Sequence, residues 1–351
     1  MKHMIFGESH GPAIGVTMTG VPAGIPLDLE EIRFEMGRRA PGKNQLSTAR
    51  KEADEPKIIA GFFEGKTTGT PLCAVIQNTD QHSKDYSQLK ILPRPGHGDY
   101  PGSIRYAGCN DYRGGGHFSG RLTAPLVFAG AVAKQILSQR GIFVGAHIRS
   151  IAGIEESSFE DCVLDRNLFR RIAEKPFPTM DDARGAAMQQ AILDAKTQQD
   201  SVGGVIQCAV IGLPAGVGAP DYGMNAEGIF AQQLFAVPAV KGVEFGRGFA
   251  MASMRGSECN DPIQVKNGTA VLTRNVSGGI NGGITNGMPL LFSVVIRPTP
   301  SISREQDTIN LITMENAKLT ITGRHDPCVV HRAVPVIEAA AALAACELLG
   351  I

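Results

Sequence analysis

The chain has 351 residues, of which 43% are hydrophobic and 19% are charged, and this composition indicates a globular protein with a sizeable core, not a disordered chain. The 34 basic residues balance 34 acidic ones and form no long basic block, which argues against nucleic acid as a partner. The seven cysteines form no C-x-x-C pair, and neither a secretory segment nor a membrane span is predicted. We therefore expect a cytoplasmic protein without a disulfide framework.

Strands and helices are predicted in two similar series. The first contains the strand Ile14–Thr19, the strand pair Lys57–Phe63 with Leu72–Gln77, and the long helix Ser119–Arg140. After its first strand, Asp28 is placed to cap a helix, and Glu31 would complete a capping box. The second series contains the strand Val205–Ile211, the strand pair Gly268–Val276 with Leu290–Ile296, and the helix Val329–Leu349. Both long helices are apolar almost all round, which is typical of buried helices.

Three segments recur in the same order in both series and predict a diverged internal duplication. Residues 20–26 resemble 212–218, residues 65–72 resemble 283–290, and the spacing Pro125, Ala129, Ala131 resembles Pro335, Ala339, Ala341. We predict a single domain, 1–351, with pseudo-repeated halves at about 1–145 and 200–351 and an insertion at about 146–200 that contains the helix Asp181–Lys196. The expected fold class is α/β (α+β), with antiparallel sheets that flank buried core helices.

Histidine and arginine are placed unusually in this chain. Four of the eight histidines lie in glycine-flanked turns: His10, His97, His117 and His325. Glycine allows close approach of the backbone to a ligand, and imidazole titrates near neutrality, so such a residue can deliver a proton to a leaving group. Each histidine could equally be a turn residue that a neighbouring backbone group satisfies.

Arginines accompany these turns at Arg38, Arg39, Arg94, Arg113, Arg121 and Arg324. Because guanidinium binds carboxylates and phosphates in a bidentate manner, this pairing suggests a small ligand with several negative groups. A further glycine-rich stretch, Gly278–Gly287, leads into Arg297–Ser301. It suits either a phosphate site or a bulged hairpin, and the residues alone leave both open.

Two other motifs are incomplete. Residues 60–67 nearly spell a P-loop, but Ala60 replaces the first required glycine, and Phe62 and Phe63 are bulky where phosphates should lie. His325, Asp326 and Cys328 fit no standard zinc spacing, so no metal is predicted.

Five strings resemble the chorismate synthase family: GESHGPAIGV at 7–16, RPGHGD at 94–99, RGGG at 113–116, VKGVEFG at 240–246 and GRHDPC at 323–328. The resemblance runs in order from residue 7 to about 349 and implies a β-α-β sandwich that assembles as a homotetramer. The implied activity is that of a carbon–oxygen lyase of the shikimate pathway of aromatic amino acid biosynthesis. It removes phosphate from 5-enolpyruvylshikimate 3-phosphate by anti 1,4-elimination, giving chorismate and inorganic phosphate. The family requires reduced FMN although the reaction is redox-neutral, and NADPH is a candidate reductant.

The resemblance also implies residue roles. His10 would protonate the departing phosphate, His97 would protonate the reduced flavin near its N1/O2 edge, and Asp326 would lie near flavin N5. The substrate's phosphate and carboxylates would be held by Arg39, Arg94, Arg121 and Arg324. Flavin contacts are implied at His117, Phe118, Ser119, Pro238, Ala239, Gly282, Arg297, Pro298, Thr299, Pro300, Ser301 and Arg324, and NADP contacts at Arg39 and Gln45.

The sequence departs from the family pattern on the flavin side. His117 replaces a flavin-side arginine, Pro238 replaces an asparagine, Gln45 stands where arginine is common and Arg297 where lysine is common. These changes indicate a divergent branch. Two rivals are a non-catalytic flavin- or phosphosugar-binding relative, which would be expected to lose His10, His97 or Asp326, and an NADPH-dependent oxidoreductase, which would be expected to carry a strand-linked G-x-G-x-x-G.

Overall fold

The structure is a computed structural model that describes residues 1–42, 46, 52–80, 88–321 and 325–351, so the predicted site residues Gln45 and Arg324 lie outside the described residues. The elements up to residue 138 are β1 (Lys2–Gly7), β2 (Ala13–Thr19), α1 (Leu29–Arg39), β3 (Pro56–Ala60), β4 (Phe62–Phe63), β5 (Lys66–Thr67), β6 (Leu72–Gln77), α2 (Asp99–Arg105) and α3 (Thr123–Ser138). Next come β7 (Phe143–Ile151), β8 (Ile154–Glu155), α4 (Arg166–Ala173) and α5 (Asp182–Thr197). The remaining elements are β9 (Gly204–Ile211), α6 (Ala226–Phe235), β10 (Val240–Phe245), α7 (Gly256–Cys259), β11 (Ile263–Lys266), β12 (Thr269–Leu272), β13 (Ile280–Asn281), β14 (Ile284–Thr285), β15 (Leu290–Ile296), β16 (Gln306–Asn310), β17 (Glu315–Leu319) and α8 (Val330–Leu348).

Two antiparallel sheets form the outer layers of a β-α-β sandwich, with strand orders β1-β2-β6-β3 and β10-β15-β9-β7-β8. Their inner faces, which include Val16 and Phe292, are fully buried against α3 and α8. These two helices approach so closely that a Cβ at residue 130 would lie 2.1 Å from the Cβ of Ala339, which explains the glycine at that position. The predicted fold class is confirmed. Among the described residues, no helix is long and apolar enough to cross a membrane.

The two halves share contacts as well as strand order. The order β1-β2-β6-β3 matches β7-β9-β15-β10, which forms most of the second sheet. In each half the threonine of a short hairpin binds the turn after the second strand, β2 or β9: Thr67 Oγ1 donates to Pro22 O at 2.6 Å, and Thr285 Oγ1 donates to Pro214 O at 2.7 Å. These equivalent contacts support the internal duplication, which stays a prediction.

The predicted strand Lys57–Phe63 is interrupted. Gly61 has a φ of 79°, and a Cβ there would lie 2.5 Å from the Cα of Leu72, so the chain turns away from the sheet. Phe62 and Phe63 then pair with Lys66–Thr67 in a separate hairpin. The incomplete P-loop motif is therefore a hairpin that packs on the first sheet.

One further local prediction is wrong, and another is confirmed only in part. Residues 269–272 pair with Ile263–Lys266 in an exposed hairpin, because the two strands are joined by a tight turn. The predicted partner strand, β15, pairs with β9 and β10 instead.

The predicted capping box at the start of α1 is half formed. Asp28 accepts from Glu31 N at 3.1 Å, but the backbone N–H of Asp28 donates to Gln135 at 2.8 Å, and the Glu31 carboxylate binds another helix.

A buried ionic cluster joins the central helices. Glu35 and Arg38 of α1, Lys134 of α3 and Glu338 of α8 form it, with Arg38 Nη1 2.8 Å from Glu35 and Lys134 Nζ 2.7 Å from Glu35. Glu338 accepts from Arg38 Nη2 at 2.8 Å and from the backbone N–H of Ala146 at 3.1 Å. Burial alone would raise the pKa of Glu338, but Arg38 and Lys134 outweigh burial and lower that pKa to about 2.

We predict that Glu338→Gln lowers the free energy of unfolding by about 3 kcal/mol at pH 7, because two buried cations lose one of two carboxylates. Since the pKa of Glu338 is depressed in the folded state, its contribution is complete above about pH 4.5 and is lost as the pH falls towards 2. Chemical denaturation of wild type and variant between pH 7 and 3 measures both effects. Glu30→Gln, which removes an exposed ion pair from the same helix, is the control and should change stability by under about 0.5 kcal/mol. Equal stability of the Glu338 variant and wild type would contradict the role of the cluster.

His331 of α8 is buried, and neither of its ring nitrogens has a hydrogen-bond partner among the described residues. Its ring stacks on Phe177 with 6.1 Å between centroids. Burial, assisted by the charge of Arg332, lowers the pKa of His331 to about 4. The folded protein therefore holds a neutral imidazole over a pH range in which the unfolded chain binds a proton.

We expect His331→Phe to keep the stacked contact and to leave stability at pH 7 unchanged or higher, since a buried polar N–H is removed. Between pH 6.5 and 4 the wild type should lose about 1–3 kcal/mol more stability than the variant, because only the wild type has this depressed histidine pKa. Thermal and denaturant unfolding across that range provide the measurement. Parallel pH profiles for the two proteins would show that His331 is not responsible.

Candidate active site

A cavity of about 370 Å³ lies between the two halves, within the size range of small-molecule sites. It is lined by fourteen of the residues that the sequence predicts, namely His10, His97, Asp326, Arg39, Arg94, Arg121, Phe118, Ser119, Pro238, Ala239, Arg297, Thr299, Pro300 and Ser301. Apolar side chains, including Val237, Ile296 and Val336, also line it. The cavity therefore offers cationic groups for anions and apolar surface for a flat ring.

His325, which the sequence also places in a glycine-flanked turn, lines the cavity as well, whereas the other described flavin-contact candidates, His117, Gly282 and Pro298, do not. His117 is exposed, and its Nδ1 lies 3.0 Å from Gly7 O, so the ring holds the His10 turn from outside. Gly282 lies in the turn between β13 and β14, which supports the hairpin interpretation of residues 278–287. Pro298 accepts from Arg297 Nε at 3.2 Å.

Three arginines that line the cavity, Arg39, Arg94 and Arg121, are buried and form what we call the arginine cluster. Each binds protein acceptors with three of its five N–H groups. Arg39 binds Thr123, Asp54 and Gly120 O; Arg94 binds Asp99 twice and Ser301; Arg121 binds Asn78, Asp54 and Gln77 O. Within the described part of the chain, the other two N–H groups of each guanidinium make no hydrogen bond, and the orientation of each plane is fixed in advance.

Asp54 connects two members of this cluster. Its carboxylate is completely buried, with one oxygen 2.5 Å from Arg39 Nη1 and the other bound to Arg121 Nη1. Burial alone would raise the pKa of Asp54, but the two guanidinium groups outweigh it and lower that pKa. Asp54 also has a φ of 52°, a left-handed conformation that aspartate tolerates better than most residues. This carboxylate permits two arginines to lie side by side in the cavity wall.

His10 and His97 face the same glycine loop. A Cβ at residue 114 would lie 2.3 Å from the His10 ring, and a Cβ at residue 115 would lie 2.9 Å from the His97 ring. Gly114 and Gly115 both have positive φ, at 58° and 83°. The sequence RGGG is therefore required for steric reasons: it allows the backbone to pass between the two imidazoles.

Arg332 was not predicted from the sequence. It lines the cavity and binds both oxygens of Asp326, at 2.9 and 2.8 Å, while its Nε donates to Arg39 O at 3.2 Å. A single cation at the start of an otherwise apolar helix was the available signal. Within the described residues, no group of three His, Cys, Asp or Glu side chains could hold a metal ion.

The family model for chorismate synthase matches residues 1–349. The chain belongs to the chorismate synthase family. It is 44% identical over 342 residues to the chorismate synthase of Thermococcus kodakarensis, covering 97% of this chain and 94% of the relative. It is 43% identical over 343 residues to that of Dehalococcoides mccartyi, covering 98% and 93%. A crystal structure of chorismate synthase aligns with a TM-score of 0.77 at 28% identity, covering 99% of this chain and 91% of that one.

These matches confirm the family, the fold and the enzyme class predicted from the sequence. The chain is a lyase of the chorismate synthase family, and a non-catalytic relative is not favoured. His10, His97 and Asp326 all line one cavity.

For the arginine cluster we predict that Arg121→Lys weakens binding of the phosphate ester by about 10–100-fold. The lysine keeps the charge, but it cannot bind Asn78, Asp54 and a ligand together, and each charged hydrogen bond is worth roughly 1.5–3 kcal/mol. Calorimetric titration with 5-enolpyruvylshikimate 3-phosphate is the measurement. Arg113→Lys is the matched control, since Arg113 binds Asp111 on the adjacent loop and does not line the cavity. Equal affinities of the Arg121 variant and wild type would remove Arg121 from the substrate site.

Proposed function

We propose that this cavity binds 5-enolpyruvylshikimate 3-phosphate and that the chain catalyses the anti 1,4-elimination of its phosphate, giving chorismate and inorganic phosphate. The observation that carries the proposal is the arginine cluster, whose three buried guanidiniums line the same cavity as His10. The substrate carries one phosphate and two carboxylates, and guanidinium is the side chain best suited to both. Family membership supports the same reaction.

His10 neutralises the leaving group. A phosphate dianion departs slowly unless a proton or cations compensate its charge, and His10 lies in the cavity wall at 5% exposure. Its ring is confined by Gly114 on one side, and its Nδ1 lies 3.3 Å from Ser9 Oγ. The imidazole is thus held in one orientation, in a wall whose arginines supply further positive charge.

The cavity also fits reduced FMN. Thr299 Oγ1 is buried, lines the cavity and has no hydrogen-bond partner among the described residues, so it is available to a ligand. Arg297 lines the same cavity, and the apolar surface with Val237 and Val336 suits a planar ring system. Reduced FMN, when bound, would lend an electron that helps to expel phosphate. The chain itself positions Asp326, which Arg332 holds by two hydrogen bonds, and His97 on opposite loops of the site.

Other properties implied by the resemblance are part of this proposal. NADPH is a candidate reductant, and one of its two proposed contacts, Arg39, lines the cavity. Exposed apolar side chains on both sheets, including Met4 at 69% and Val295 at 43%, support assembly into a homotetramer. A cytoplasmic location remains a prediction.

The test is an anaerobic assay of chorismate formation with photoreduced FMN, with and without NADPH. We expect turnover by the wild type, and a loss of about 10²–10⁴-fold in kcat for His10→Ala with FMN affinity little changed, because a general acid is removed and the flavin contacts remain. His3→Asn, a change in β1 outside the cavity, is the control and should keep wild-type turnover. No turnover by the wild type would overturn the function, whereas a His10 variant within tenfold of wild type would overturn only the role of His10.

A further inference from the structure

His97, Asp99 and Arg94 form a buried hydrogen-bonded chain at the edge of the cavity. The His97 Nδ1 lies 2.6 Å from Asp99 Oδ1. Arg94 donates to the same carboxylate from Nε at 2.6 Å, from Nη2 at 2.8 Å and from its backbone N–H at 3.1 Å. Asp99 is therefore fixed by Arg94 on one side and contacts His97 on the other.

The hydrogen bond between Asp99 and His97 has a defined direction. Burial alone would raise the pKa of Asp99, but hydrogen bonds from Arg94 and His97 outweigh it and hold that pKa well below its usual range. An ionised carboxylate can only accept, so the proton of this 2.6 Å contact belongs to His97 Nδ1. Arg94 Nη2 also lies 3.0 Å from His97 Nδ1. It cannot donate to a nitrogen that already carries a proton. The two nitrogens are close because both donate to Asp99 Oδ1.

The second ring nitrogen is directed elsewhere. His97 lines the cavity, and its Nε2 has no hydrogen-bond partner among the described residues. A Cβ at residue 115 would lie 3.1 Å from Nε2, so Gly115 leaves room for a ligand atom to approach this nitrogen. Nε2 is consequently the ring atom that can exchange a proton with something bound in the cavity.

We propose that Asp99 is a positioning residue, not recognised from the sequence, that fixes a proton on Nδ1 of His97 and orients the ring so that proton exchange occurs at Nε2. The catalytic consequence rests on the proposed function, in which His97 serves the reaction, but the placement of the proton does not. Three other charged groups lie near the ring. They are Arg94, Arg297, which binds Gly96 O, and Asp307 across an adjoining cleft, which pairs with Lys318.

Asp99→Asn should reverse this arrangement. The Oδ2 position accepts from two N–H groups that cannot change, Arg94 Nε and Arg94 N, whereas the Oδ1 position accepts from only one such group, Arg94 Nη2, so the amide oxygen of the variant is expected at Oδ2. The amide NH₂ then faces Nδ1 of His97 and donates to it. The neutral ring must in turn carry its proton on Nε2, the tautomer opposite to that of the wild type.

Side-chain nitrogen NMR of isotope-labelled histidine in the full chain tests the proposal, with the His97 signals assigned by a His97→Gln variant. We expect the neutral ring of the wild type to carry its proton on Nδ1 and that of Asp99→Asn to carry it on Nε2. Asp307→Asn is the matched control, because it removes a carboxylate from the same cleft without touching the ring, and the tautomer should remain that of the wild type. In the anaerobic assay Asp99→Asn should lower kcat by about 10²-fold or more, with a smaller change in KM.

An Nε2-protonated ring in the wild type would overturn the proposal, and so would an unchanged tautomer in a folded Asp99 variant. If Asp99→Asn does not fold, the wild-type spectrum and the Asp307 control still decide the question. Failure of the proposed function is distinguishable, since it would appear as absent turnover in a wild type whose His97 carries its proton on Nδ1.

Discussion

The site depends on the compensation of buried positive charge. Arg39 and Arg121 could not both occupy one buried wall without the carboxylate of Asp54 between them. Two further carboxylates have the same function, Asp99 for Arg94 and Asp326 for Arg332. In each case the carboxylate binds a guanidinium that lines the cavity. The wall is thus stable without ligand and still attractive to an anion.

The compensation of buried positive charge also connects the site to the helical layer, through α1. Arg38 and Arg39 are consecutive residues of α1, and successive side chains of a helix point about 100° apart. Arg38 therefore enters the ionic cluster with Glu338 in the helical layer, while Arg39 enters the cavity wall. Arg332 of α8 then binds Arg39 O, so α1 is held to α8 at both positions. The geometry of the cavity is consequently tied to the packing of helices that contribute few of its side chains.

Much of the fold was predictable from the sequence because local signals carried it, and most of the residues that the family resemblance implies line one cavity. The two long apolar helices, the turn of residues 20–26 and its counterpart at 212–218 were recognisable from pattern alone. The partners of the cavity arginines were not predictable from the sequence. Asp54 lies 15 residues from Arg39 and 67 from Arg121, and only the folded chain brings them together. Residues 268–276 were misassigned for a related reason. Their composition suits a strand, but composition does not specify whether the partner is a sheet or an adjacent strand.

The glycine loop at residues 113–116 explains why two imidazoles with different proposed roles can occupy one site. Gly114 contacts the ring of His10 and Gly115 contacts the ring of His97, so consecutive residues separate the two histidines by backbone alone. A side chain at either position would displace one ring, and the required positive φ would add strain. His10 has Ser9 beside its Nδ1, whereas His97 has the carboxylate of Asp99. A hydroxyl can donate or accept and does not by itself fix the proton of a neighbouring imidazole, while an ionised carboxylate only accepts and fixes one proton in place. The different partners therefore assign different chemistry to two side chains that the sequence presents in the same way.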